Sequence, residues 1–168
     1  QLHLTFHGYR AESRVFNVTL EPCGHPDIDA NGKCGTCQYQ FVATLTDAAG
    51  EVTGYDTLNG ALAEVKALSA DAQNASRYTV RLHRDVTEDV RITGGKFTLD
   101  LNGKTATVPS GLAISGTTDI GIQNGKLVSD VTVSSASLTV SAAEGLGRIT
   151  LQGSANVQFY PDASASAF

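Results

Sequence analysis

Three cysteines and a histidine stand close together near the start of the chain, as Cys23-x-His25, eight residues, then Cys34-x-x-Cys37. Two close pairs of soft donors separated by a short loop are how a tetrahedral zinc site is written into a sequence, each pair supplying two corners. Four protein donors leave no open position for water, so such an ion is structural. Pro22, Gly24, Pro26, Gly32 and Gly35 supply the tight turns that the knuckles need. Other chemistry competes for the same residues. A disulfide would use two of the three thiols and leave His25 idle. A redox pair at Cys34-Gly35-Thr36-Cys37 requires a strand leading into a helix N-terminus, whereas the residues that follow read as a strand. Asp27, Asp29, Asn31 and Gly32 match the first half of a calcium loop, but its twelfth position is Gln38 and two cysteines interrupt it. DIDANG therefore reads as a polar turn spanning the zinc loop. His3 and His7 have no acid or cysteine nearby and read as exposed strand residues.

The elements that must hold this loop are strands. Leu2-Leu4-Phe6 and Val15 to Leu20 alternate on one side of it, and YQFVATLT follows on the other, so FNVTL and YQFVATLT are expected to form a carrying hairpin. YDTLNGALAEVKALSADAQNAS, residues 55 to 76, holds the one convincing helix. Asp56 or Thr57 can serve as N-cap, and Leu58, Leu62, Val65 and Leu68 or Ser69 recur at helical spacing.

From Thr79 to Tyr160 a pattern of short alternating runs, broken by polar or glycine-containing turns, keeps returning. Ile92 to Ile114 is 22 residues, Ile114 to Val133 is 19, and Val133 to Leu151 is 18. A recurrence near 20 residues built of strands and turns is what one coil of a β-solenoid requires, since a lone coil cannot cover its own apolar face. These four residues are expected to lie above one another in an interior row. The extra residues of the 22-residue interval are placed in the turn KTATVPSG. A β-sandwich with short strands is the competing architecture. The helix is expected to cap the open end of the first coil and hide its strand edges.

The phrase KFTLDLNGKT at 96–105, with YDTLNGALAEV ahead of it, resembles the opening coil of right-handed parallel β-helix (pectate-lyase-like) modules in large secreted and surface proteins of Gram-positive bacteria. The cysteine segment is similar to the small Cys-x-His…Gly-Lys-Cys-x-x-Cys modules that recur between domains of such proteins, and all four donor positions match. The expected class is thus mainly β: a short right-handed parallel β-solenoid with an N-terminal capping helix and an N-terminal hairpin and zinc-knuckle module. The divisions are 1–54 with the metal knuckle at 21–38, 55–160 for the helix-capped solenoid, and 161–168 as tail or linker. The resemblance implies an extracellular or cell-wall setting and does not specify an activity.

With 12 basic and 17 acidic residues and no basic stripe, nucleic acid is not an expected partner. Mean hydropathy is −0.07 and no apolar run reaches the length of a membrane span. The chain starts at Gln1 and contains no Met, which points to a piece of a larger protein whose other domains would be its neighbours. Enzymes of the β-helix type need clustered carboxylates, whereas Asp100, Asp119 and Asp130 are scattered by this register. The expectation is a non-catalytic module, an adhesin or an accessory domain beside an enzyme, facing a host or bacterial surface glycan or protein. A carbohydrate-active domain and a plain spacer are the alternatives. If the outer face binds anything, its ladder is Thr98, Asp100, Gln123, Thr139, Gln158 and Tyr160.

Overall fold

Alternating apolar residues in the second half of the chain form parallel strands stacked in register. The structure is a computed structural model that describes residues 23–69 and 78–160. Its solenoid has about four turns, and each complete coil has three straight sides. The first coil consists of β3 (Tyr78–Leu82), β4 (Val86–Thr87) and β5 (Arg91–Ile92). The second consists of β6 (Gly95–Asp100), β7 (Thr105–Thr107) and β8 (Leu112–Ser115). In the third, β9 (Thr118–Ser134) runs through all three sides, pairing in turn with β6, β7 and β8. β10 (Ser137–Gln152) repeats this on β9, and β11 (Asn156–Tyr160) adds the first side of a further coil.

Interior rows follow directly from the register. Val80, Leu99, Ile122, Val140 and Phe159 stack on the first side, beside Tyr78, Phe97, Ile120, Leu138 and Val157. Ile92, Ile114, Val133 and Leu151 stack on the third side as the recurrence predicts. The first three are buried, but Leu151 is 55% exposed, because β11 extends only the first side beyond it. Parallel pairing throughout these rows replaces the β-sandwich alternative.

The corners differ from the expected layout. Register offsets between the second and third coils fall from 23 residues at Leu99↔Ile122 to 21 at Ala106↔Leu127 and 19 at Ile114↔Val133. Half of the surplus therefore sits at the Asn102–Lys104 corner and half at the Pro109–Gly111 corner. Thr105–Thr107, expected within the turn, is strand β7 with Ala106 buried. At the first corner Asn102 and Asn124 adopt φ of 51° and 58°, a left-handed conformation that asparagine tolerates better than most residues. Gly125 is required by closeness: a Cβ there would stand 2.5 Å from Leu101 Cβ and 2.7 Å from the Lys104 carbonyl.

Ahead of the first coil the sheet continues with antiparallel pairing. β1 (Ala43–Thr46) pairs with both β2 (Val52–Tyr55) and β3, so strands from either side of position 54 belong to one sheet. Helix α1 (Leu58–Leu68) buries Leu58, Ala61, Leu62 and Val65 and packs on β1, β2, β3 and β6. Thr57 is its N-cap, accepting a hydrogen bond from the Gly60 N–H at 3.0 Å. Glu88 of the first coil accepts from the Leu58 and Asn59 N–H groups, both at 3.0 Å, placing a carboxylate where the helix dipole favours it. The helix is shorter than the predicted stretch: Leu68 is exposed, Ser69 is its C-cap, and residues 70–77 lie outside the described residues. FNVTL, and with it one half of the expected hairpin, lies outside them too, as does the 161–168 tail. Among the described residues no helix is long and apolar enough to cross a membrane.

Candidate metal centre

Cys23, His25, Cys34 and Cys37 come together, with all four donor atoms within 4.8 Å of one another. The local fold explains how. Asp29 accepts from the Asn31 and Lys33 N–H groups, both at 2.9 Å, and turns the chain back on itself. A small antiparallel bridge then sets Ile28 beside Cys34. The DIDANG segment is thus the predicted polar turn, and the two backbone N–H groups hold the Asp29 carboxyl below its ordinary range. Beyond Cys34 the chain makes a tight knuckle, closed by the Gln38 N–H donating to the Cys34 carbonyl at 2.9 Å. His25 and Gln38 take left-handed φ of 49° and 63° on either side of the cluster, which lets both short donor pairs turn inward.

Cys23 Sγ lies 3.7 Å from Cys34 Sγ, and His25 Nδ1 lies 3.4 Å from Cys37 Sγ. An ideal tetrahedron with zinc–sulfur bonds near 2.3 Å and a zinc–nitrogen bond near 2.0 Å has edges of about 3.8 Å and 3.5 Å. Both observed separations fall close to those edges. A disulfide would bring two sulfurs to about 2.0 Å, and all three cysteines are free. Cys34 is buried, Cys23 and His25 are half-buried, and Cys37 is exposed.

Electrostatics divide the thiols. The backbone N–H of Cys37 points at Cys34 and, with His25 and the Thr36 N–H, lowers its pKa to about 6 against the burial that opposes it. Cys23 goes the other way. The His25 N–H stabilises its thiolate, but burial and the adjacent Cys37 and Cys34 thiols outweigh that and raise it. A cation placed between the thiols would favour their ionised forms. The donor set and spacing are close enough to hold a metal ion.

The surrounding shell ties the loop to the solenoid base. His25 packs against Tyr39 and Phe41, with ring centroids 5.5 Å and 5.0 Å away. Phe41 has room because β2 carries Gly54 beneath it, where a Cβ would meet the ring at 2.4 Å. Tyr39 donates to Asp56 at 2.8 Å. Gly32 lies flat on the His83 imidazole, whose Nε2 is 2.9 Å from Thr44 Oγ1, and Arg84 donates to the Gln40 carbonyl. Of these supports the sequence singled out only Gly32, as a turn residue, and Asp56, as a candidate N-cap; the packing of Tyr39, Phe41, Gly54, His83 and Arg84 around the loop was not foreseen. The Tyr39-x-Phe41 pair directly after Cys37 was the available signal.

The outer ladder separates into two rows. Thr98, Thr139 and Gln158 share one, and Asp100, Gln123 and Tyr160 share the next. Asp100 departs from it: the residue is 3% exposed, and its carboxylate is taken up by Arg81, the Asn102 N–H and the Asn124 side chain. His3 and His7 lie outside the described residues. No protein-family model, no curated protein and no solved structure matches this chain.

Proposed function

We propose that this chain is a non-catalytic extracellular module of a large bacterial surface or secreted protein, held together at its N-terminal end by one structural zinc ion on Cys23, His25, Cys34 and Cys37. The single observation that carries the metal reading is the pair of donor separations, 3.7 Å and 3.4 Å, at the edges of a zinc-sized tetrahedron. The metal would fasten a loop whose own apolar content is small to the base formed by β1, β2 and the end of β3. In this reading α1 caps the first coil, a role supported by its buried stripe and its bond to Glu88. The solenoid would then present its outer faces to a glycan or protein, in an adhesive or accessory role and with the right-handed winding of the modules it resembles.

Scaffolding roles for the carboxylates support the non-catalytic reading. Asp85 accepts from the Thr105 N–H, Asp89 from Ser110 and Asp130 from Arg148, each binding backbone of the next coil. Elemental analysis of the purified chain tests the metal: one zinc per chain is expected, and its stoichiometric absence after purification without chelator refutes the site. Glycan-array binding, run alongside turnover of pectin, hyaluronan and mucin glycans, tests the rest.

One observation favours the carbohydrate-active alternative. A groove of about 380 Å³ follows the corner between the second and third sides, lined in part by Asp89, Arg91, Ser110, Asp130 and Thr132. Turnover lost on Asp130→Asn, with an unchanged fold, would establish that reading in place of the other.

A further inference from the structure

The four donors are not equally sheltered, and the knuckle Cys34–Cys37 contains both the most buried and the most exposed of the thiols. Cys37 is open to solvent at the rim of the cluster, while Cys34 is inaccessible from outside but shares a single turn with it. Their sulfurs lie within 4.8 Å of each other, so a bond between them asks for rearrangement of that one turn. The arm carrying Cys23 and His25 need not move.

We propose that the cluster is a peroxide-sensitive switch in which oxidation of Cys37, followed by disulfide formation with Cys34, expels the metal and releases the loop. The inference rests on the metal reading above. In the first step the Cys37 thiolate attacks one oxygen of hydrogen peroxide, giving the sulfenic acid and hydroxide. In the second the Cys34 thiolate attacks the Cys37 sulfur, forming the S–S bond and expelling a second hydroxide. Two thiolates are oxidised by two electrons and one peroxide is reduced. Cys23 and His25 remain as two donors, too few to retain a tetrahedral ion against solvent. The freed segment includes the ring contacts of His25 with Tyr39 and Phe41, so release at the cluster loosens the attachment of the loop to β1 and β2. A thiol reductant with added zinc restores the starting state.

The test treats zinc-loaded chain with hydrogen peroxide, follows released zinc with a chromogenic chelator, and maps cysteines by peptide mass spectrometry. The expected result is one zinc released per Cys34–Cys37 disulfide, reversed by reductant and zinc. In Cys37→Ser the rate of peroxide-driven release should fall at least tenfold. If that variant does not hold zinc, the wild-type map decides alone. A disulfide that includes Cys23, or sulfinic acid without any disulfide, overturns the switch. Zinc retained while peroxide is consumed also overturns it and leaves the metal reading standing. Chain that neither carries nor takes up zinc overturns both.

Discussion

Arg81 stands on the first coil and Asp100 on the second, and two nitrogens of the guanidinium close on a single oxygen of Asp100, Nε at 3.0 Å and Nη2 at 2.9 Å. The other oxygen accepts from the Asn102 N–H at 3.0 Å and from Asn124 of the third coil at 3.2 Å. Asn102 in turn donates to the Leu82 carbonyl at 2.9 Å. One buried carboxylate thus joins three successive coils. Breaking a fully buried ion pair costs about 3–5 kcal/mol, and the half-exposed Arg81 side chain lowers that figure. Asp100→Ala should cost about 2 kcal/mol, read as a fall in Tm of roughly 5 °C. An unchanged Tm would show that the cluster is dispensable.

The same corner contains an unfavourable residue one coil further on. Ala142 is stacked on Asn124 and takes φ of 47°, where a plain Cβ is strained. Ala142→Asn should relieve that strain and extend the asparagine column, stabilising the chain by about 1 kcal/mol. Chemical denaturation of the two proteins measures it, and a destabilised variant would refute the account.

Gly32 lies where no other residue fits. Its φ is 73°, and a Cβ would stand 2.3 Å from the His83 ring. Gly32→Ala should therefore lift the loop off its floor and weaken metal binding at least tenfold, equivalent to about 1.4 kcal/mol. Competition against a chelator of known affinity reads the loss, while circular dichroism of the solenoid should stay unchanged.

His83 gives the molecule an acid-sensitive element. Burial, helped by the Arg81 charge, lowers its pKa below the ordinary 6.5, and its buried Nδ1 has no partner among the described residues. The unfolded chain then takes up the proton more readily than the folded one. Stability is full above pH 6.5 and is lost as pH falls through 6.5 toward the folded value. Proton competition at the thiolates has the same sign, so the measurement belongs on chelator-treated protein. Tm should fall more steeply between pH 7.5 and pH 5.5 in the wild type than in His83→Gln, and parallel curves would remove His83 from the explanation.

Much of this arrangement was legible in the sequence because it depends on periodicity and spacing. Alternation identifies one buried face, and the recurrence of Ile92, Ile114, Val133 and Leu151 brings out the stacking without any knowledge of the turns. The donor cluster was legible for a similar reason, since its two pairs are local. Asp100 was not. Alternation assigns it to the outside, and its burial comes from Arg81 and Asn124, residues brought beside it only by coiling. The division of surplus residues between two corners was equally hidden, because Thr105–Thr107 is as polar as a turn and becomes strand only by lying between Val86–Thr87 and Leu127–Val128. Tyr39 and Phe41 support His25 through space, which spacing alone does not reveal.

The two ends of the described stack are unlike. At one end β1 and β2 run antiparallel beneath the first coil with α1 packed on them. At the other, Leu151 and Phe159 are each 55% exposed and β11 follows only one side of β10. Coils that touch only their neighbours melt like a rope unlaying, from whichever end is least bound. Amide exchange should accordingly quicken along the axis, slowest at Val80 and Leu99 and fastest at Val157 and Phe159. Pulling on the chain from its far end would peel coils off one at a time, with the antiparallel base the last to yield.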